Sequence, residues 1–285
     1  MSLLDSLLEM ADENETILRA VFPYPGGKSR SVGNILPLLP YRNKYIEPFG
    51  GSAAVLLARR KSRLEIFNDR YAGVVAFYRC IRDAKKMAAL CEWLDLTVCA
   101  REEFVWAKER WQNVSGDVER AALWYYITNY SFASLGRNFG RTITRSPLAG
   151  KIKLKLKLFP LIHERFRCVQ VENQDWRDCI ADYDSDDAVF YIDPPYVDAQ
   201  VGAYVCTMSH SDHQDLITVI MELKGFAAVS GYSNPLYESA DWDSRHEWES
   251  FVSLQPAGDI KGNNKEGIDS KRGHATEVLW IKEAH

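Results

Sequence analysis

The tightest constraint on how this chain can fold is a strand that runs directly into a glycine turn and then a helix. Residues 45–47 read as the strand, Pro48-Phe49-Gly50-Gly51 as the turn, and Ser52 as an N-cap opening a helix over 53–60. A second strand over 64–67 ends at Asn68-Asp69, and Val74, Val75, Tyr78 and Ile81 then repeat at helical spacing. The rhythm resumes with strands over 168–171 and 188–192, a helix over 212–223 and a strand over 226–230. Such alternation implies an α/β sheet of parallel strands whose ligands collect at the strand C-termini. Residues 251–254 and 278–281 add a strand pair, separated by a Gly/Asn/Lys loop over 258–273.

Two segments stand outside that rhythm. Leu3, Leu4, Leu7 and Leu8 suggest a short amphipathic helix in an extension over 1–21, which the Phe22-to-Lys28 run of prolines and glycines breaks. Residues 96–165 turn aromatic and charged, with two helical stretches split near Gly116, and read as an inserted, mainly helical subdomain between 22–95 and 166–285. Within it, residues 151–158 alternate lysine with an apolar residue, which a strand would gather on one face and a helix would spread.

Three clusters carry chemistry. At Glu47-Pro48-Phe49-Gly50-Gly51-Ser52, glycines let a ligand approach the backbone, and a helix start favours an anionic group. Asp69 ends the next strand, where an acid accepts from ribose hydroxyls, so the two together suggest a nucleoside-bearing cofactor. Asp193-Pro194-Pro195-Tyr196 follows a buried strand. Its carboxylate and the Pro194 carbonyl can both accept from one amino group while Tyr196 stacks a planar base, as methyl transfer from a sulfonium requires. Asp175-Trp176 pairs an acceptor for an adenine amine with a ring cover. The six cysteines are scattered without metal spacing and read as free, mostly buried thiols; His210 and His213 read as polar surface or pocket wall, so no metal is expected.

Taken in order, Tyr24-Pro25-Gly26-Gly27-Lys28, the Glu47-to-Ala53 turn, Asn68-Asp69, the insert, Asp175-Trp176 and Asp193-to-Tyr196 resemble the Dam-type (alpha-group) DNA adenine-N6 methyltransferases over about residues 22–281. The resemblance implies a Rossmann-like methyltransferase sheet that uses S-adenosyl-L-methionine, acts on double-stranded DNA and flips the target adenine, in a restriction–modification setting of prokaryotic or phage type. Phe49, Gly50 and Gly51 would line the methionine end of the cofactor, with Tyr24, Gly26, Gly27, Glu47 and Ser52 around them. Asp69 would hold the ribose, and Asp175 and Trp176 the adenine. Asp193, Pro194, Pro195 and Tyr196 would hold the target base, with Asp193 also bordering the cofactor. Lys28, Asn129, Arg137, Asn138, Arg141 and Arg145 would contact DNA. The insert is shorter than the family's recognition segment, which implies altered or relaxed target reading.

Composition first points the other way, since 35 Lys+Arg against 39 Asp+Glu leave a net charge of −4 over 285 residues. Resolved locally, residues 135–167 hold nine bases and one acid, and residues 172–198 nine acids and one base, so a basic DNA-facing block offsets an acidic catalytic one. The loop over 258–273, with Lys261, Lys265, Lys271 and Arg272, is a second possible DNA edge. No apolar run reaches membrane-spanning length, and the acidic start is unlike a secretory leader, so a cytoplasmic monomer or weak dimer is expected, with no membrane partner. A methyltransferase for RNA or a protein amide, or a DNA-binding module without chemistry, would share parts of this pattern.

Overall fold

The structure, a computed structural model, describes residues 18–132, 136–140, 148–197, 206–252 and 273–284. The strands are β1 (Lys44–Glu47), β2 (Leu64–Asn68), β3 (Val169–Glu172), β4 (Ala188–Ile192), β5 (Phe226–Tyr232), β6 (Ser244–Val252) and β7 (Gly273–Lys282). They form one sheet in the order β3-β2-β1-β4-β5-β7-β6, parallel from β3 to β5, with β7 antiparallel to β5 and β6. The helices described are α1 (Val32–Ile35), α2 (Ala54–Ala58), α3 (Ala72–Arg82), α4 (Ala84–Leu96), α5 (Arg101–Arg110), α6 (Asp117–Tyr130), α7 (Lys151–Leu156), α8 (Phe159–Phe166), α9 (Trp176–Tyr183), α10 (His210–Met221) and α11 (Pro235–Glu238).

The central strands are covered on both faces, which is why β4 reads as the unbroken apolar run Ala-Val-Phe-Tyr-Ile and is buried throughout. One face packs α3, α6 and α8 and the other α9 and α10, each with its own apolar cluster. Chain order reverses between β1 and β4, and their register, Ile46 beside Phe190, brings the loops after both strands out side by side. That reversal opens the crevice in which sheets of this kind bind ligands.

Helix α6 lies inside the 96–165 segment yet is buried from Ala121 to Tyr130, because it packs along α3 and is flanked by α4 and α5. Gly73 on α3 permits that approach: a Cβ there would lie 2.2 Å from the Trp124 ring. Phe77 stacks on Tyr125 at 5.1 Å between centroids. The insert's central helix thus shares its core with the sheet.

Several local expectations are corrected. Ser52 is not an N-cap: helix α2 starts at Ala54 after Ala53, whose φ of 54° is left-handed, and the buried Ser52 offers its carbonyl to Tyr78 Oη at 2.7 Å. The chain needs this second left-handed residue after Gly51 (φ 49°) to turn back on itself. Helix α10 starts earlier than expected, with Ser209 and Asp212 forming a capping box. The C-terminal strand pair exists, but β6 begins at Ser244, so Val278–Ile281 faces residues 244–247, while Phe251 pairs with His274. The expected strand over 251–254 overlaps only the end of β6; its greater part, residues 244–250, belongs to an edge strand whose outer positions are Arg245, Glu247 and Glu249, charges that discourage further strand pairing. The lysine-alternating stretch is helical over α7. Only Cys80 and Cys179 are buried, and Cys168 is exposed. The opening helix, Arg141, Arg145 and the 258–272 lysines lie outside the described residues.

Candidate active site

The loops after β1 and β4 and the Tyr24-to-Lys28 turn enclose an open cleft. The glycines make it possible. Gly26 has φ 73°, and Gly27 donates its N–H to the Tyr24 carbonyl at 3.0 Å, closing the turn. Gly50 sits so close to the sheet that a Cβ would lie 2.1 Å from the Phe67 ring, and Gly51 lies under Tyr24.

At one end of the cleft, Phe49 and Trp176 face each other at 6.2 Å between centroids, and the Arg177 guanidinium lies 4.3 Å from the Trp176 ring. Asp69 lines the same space. Its oxygens accept from the Gly51 and Tyr71 amides, each at 2.7 Å, and burial raises it to about 6 despite these bonds. Glu47, at the end of β1, accepts from Tyr45 Oη at 2.7 Å, and burial raises it to about 8.

Asp175 departs from expectation. It is not among the cleft-lining residues but caps α9, accepting from the Arg177 amide at 3.0 Å and from Arg70 Nη1 at 2.5 Å. The Asp175-Trp-Arg-Asp178 string carries an N-cap acid with a second acid three residues on, a helix-start signal that accounts for the placement.

At the other end stands Asp193. Lys28 Nζ lies 2.7 Å from its Oδ1, 2.8 Å from its Oδ2, 2.7 Å from the Gly26 carbonyl and 3.3 Å from Glu277 Oε1. Burial raises Asp193 to about 6, with Lys28 pulling in the opposite direction. Burial pulls Lys28 down, but Asp193 and Glu277 carry it above its ordinary value. The lysine, expected to contact DNA, is 4% exposed and is held inside the site by two carboxylates.

Beyond Asp193, a smaller cavity is lined by Pro194, Tyr196, Val197, His213, Tyr237 and residues 230–234, at the end of β5 and just beyond it. Pro194 borders both spaces and Pro195 the larger. Tyr196 meets Tyr232 edge to face at 4.6 Å, and its hydroxyl donates to Glu277 Oε1 at 3.0 Å. His213 is a wall residue, with Nδ1 2.9 Å from Tyr237 Oη, whereas His210 is exposed. Among the described residues no cluster of His, Cys, Asp or Glu is arranged to hold a metal ion, and no helix is long and apolar enough to cross a membrane.

The segment expected to read the target folds back at the end of α6. Phe132 N donates to the Asn138 carbonyl and Gly140 N to the Tyr130 carbonyl, each at 2.7 Å, which leaves Arg137 and Asn138 exposed at the turn. Asn129 is corrected. It is fully buried, donating to the Tyr125 carbonyl at 2.9 Å and accepting from Lys155 Nζ at 2.7 Å, so its amide is used inside the protein. Arg165, counted in the basic block, is also internal, forked onto Glu65 and bonded to the Leu56 carbonyl at 2.6 Å.

A mostly parallel sheet with a glycine-lined cleft at its reversal point, and an acid-proline-proline-tyrosine turn between that cleft and a second cavity, is the arrangement of an amino-group methyltransferase. A family model for the D12 class N6 adenine-specific DNA methyltransferases matches residues 24–255, and the chain belongs to that family. It methylates the N6 position of adenine in DNA. No curated protein matches the chain.

Proposed function

We propose that the larger cleft binds S-adenosyl-L-methionine and that the smaller cavity receives an adenine swung out of duplex DNA. The observation that carries this reading is that Pro194 lines both cavities, beside the half-buried Asp193 carboxylate. The residues fit the cofactor: an aromatic pair at Phe49 and Trp176, a buried acid at Asp69 whose two oxygens keep lone pairs to spare, and a glycine-lined wall. Phe49, expected at the methionine end, faces Trp176 instead, so the two rings would cover its adenine and Asp69 its ribose, while Tyr24, Gly26, Gly27, Glu47, Gly50, Gly51 and Ser52 would surround its methionine end. Asp175 serves this end indirectly, by fixing α9 and hence Trp176. When bound, the cofactor supplies an electrophilic methyl group on sulfur.

The chain's own residues then orient the nucleophile. Asp193 and the Pro194 carbonyl accept the two N–H bonds of the exocyclic amine, directing its lone pair toward the cleft, while Tyr196 covers the base. Pro195 stiffens the turn and offers no competing N–H donor. Lys28 already holds both Asp193 oxygens, so the incoming amine shares the carboxylate with it or displaces it toward Glu277, 3.3 Å away. Burial leaves Asp193 ionised at neutral pH yet, at about 6, basic enough to hold the proton that the amine loses. Arg137 and Asn138 at the exposed turn, with Arg141 and Arg145, would contact DNA.

Asp193→Ala tests the assignment. The variant is expected to bind the cofactor with wild-type affinity in calorimetry and to lose at least a hundredfold in methyl transfer, the scale of a positioned proton-transfer or oriented acceptor group. Transfer at the wild-type rate would remove Asp193 from the mechanism.

A further inference from the structure

Glu277 lies near the middle of β7, paired with Tyr232 on β5 and Trp248 on β6, and is followed by the buried apolar run Val278–Ile281. It lines neither cavity and falls beyond residue 255, where the family match ends. Sheet packing at this register asks only for an apolar residue, yet a carboxylate that is 4% exposed stands there. A carboxylate is tolerated at such depth only when it is paired and hydrogen-bonded.

Its partners come from the active site. Oε1 accepts from Tyr196 Oη at 3.0 Å and lies 3.3 Å from Lys28 Nζ, and Oε2 accepts from Ser31 Oγ at 2.8 Å. One carboxylate thus joins the N-terminal turn, the Asp193-to-Tyr196 turn and the antiparallel end of the sheet. With its hydroxyl tied to Glu277 and its ring set edge to face against Tyr232, Tyr196 has two anchors. Lys28, held between Glu277 and Asp193, sits 5.0 Å from the centre of the Tyr196 ring. A phenol donating to a carboxylate presents a more electron-rich ring face, which suits a base whose amine gains positive charge during transfer.

We propose that Glu277 is a positioning residue for methyl transfer, one carboxylate that sets both the Tyr196 ring and the Lys28 ammonium against Asp193. This rests on the reading of Asp193-to-Tyr196 as the turn that holds the target amine. Glu277 acts on the orientation of the base after it is bound, and not on the binding of cofactor or DNA.

The test uses the full chain in single-turnover methyl transfer to duplex DNA with saturating S-adenosylmethionine, comparing wild type, Glu277→Gln, Tyr196→Phe and the double variant. Glu277→Gln keeps the shape and an acceptor but removes the charge. The transfer rate constant is expected to fall at least tenfold while the Kd values for cofactor and for DNA each change less than threefold. The double variant is expected to be slowed by less than the product of the two single effects, since both act through the Tyr196 hydroxyl. A wild-type rate for Glu277→Gln, multiplicative effects in the double variant, or losses confined to the Kd values would overturn the proposal. If Glu277→Gln does not fold, Tyr196→Phe decides alone: an unchanged rate constant refutes positioning through the hydroxyl, and a tenfold loss at constant Kd supports it. Asp193→Ala run alongside separates the two levels. If it is inactive while Glu277→Gln is unimpaired, only the role of Glu277 fails; if it stays active, the underlying reading fails as well.

Discussion

Gly50 has the least freedom of any residue in the cleft wall. Its missing side chain makes room for Phe67, which is fully buried and cannot retreat, so the turn after β1 lies directly on the sheet. Gly50→Ala is expected to cost roughly 1–3 kcal/mol in denaturant unfolding through overpacking, and to weaken cofactor binding by displacing the turn. Gly33→Ala, in α1 with open space around it, is the matched control, expected to be neutral or to stabilise by up to about 1 kcal/mol. Titration belongs to this scale too. Asp193 must be ionised to accept from the amine, and burial raises it to about 6, so kcat/KM should fall as pH drops below about 6. Asp69, also raised to about 6, adds to the same limb. A rate flat down to pH 4.5 would contradict both placements.

At the scale of elements, β1, β2, β4 and β5 were legible because central parallel strands are apolar on both faces and end at glycine, acid or proline signals. Most of strand β6 was not, since its outer face is charged, and α9 was hidden because Asp175 and Trp176 invited a ligand-binding reading while the acid was capping a helix. The site residues showed the same division. Motifs that meet at strand ends could be read locally, but the partners of Lys28 and the role of Glu277 depend on contacts across 165 and 81 positions of chain. Helix α7 illustrates the limit of pattern: Lys151 and Lys155 turn inward to the Asn129 carbonyl and side chain, whereas Lys153 and Lys157 remain exposed. Lys155, drawn inward without a carboxylate, is lowered to about 7 by burial and by Lys151. If α7 faces phosphates, the Lys153→Gln/Lys157→Gln variant should weaken DNA binding about equally on all sequences and reduce the salt slope by up to about two. An unchanged slope would place the DNA elsewhere.

For the molecule as a whole, the opposed charge blocks describe the chain better than its net −4, but they are not two clean faces. Arg165 is spent on Glu65, Lys151 and Lys155 on Asn129, and Asp175 on Arg70 and Arg177, so the basic surface is smaller than the local sum suggests. Burial of acids also sets the response to pH. Glu47 is raised to about 8, and Asp69 and Asp193 to about 6, all above their unfolded values, so the folded state binds more protons than the unfolded chain between about pH 4.5 and 8. Stability should therefore decline as pH rises through that window, with a higher thermal midpoint at pH 6 than at pH 8.5 for the free protein; Glu47→Gln should flatten the upper part of the slope. Activity should run the opposite way across the acidic limb, because Asp69 and Asp193, which cost stability when ionised, fill their proposed roles in that form. In the proposed reaction, Asp193 presents an adenine amine in duplex DNA to a methyl donor bound across Pro194. Its most direct measurement is nucleoside analysis of duplex DNA after incubation with labelled S-adenosylmethionine and either wild type or Asp193→Ala. Label confined to N6-methyladenine, and lost with the variant although it still binds the cofactor, is the predicted result; label on another base, or undiminished labelling by the variant, would contradict it.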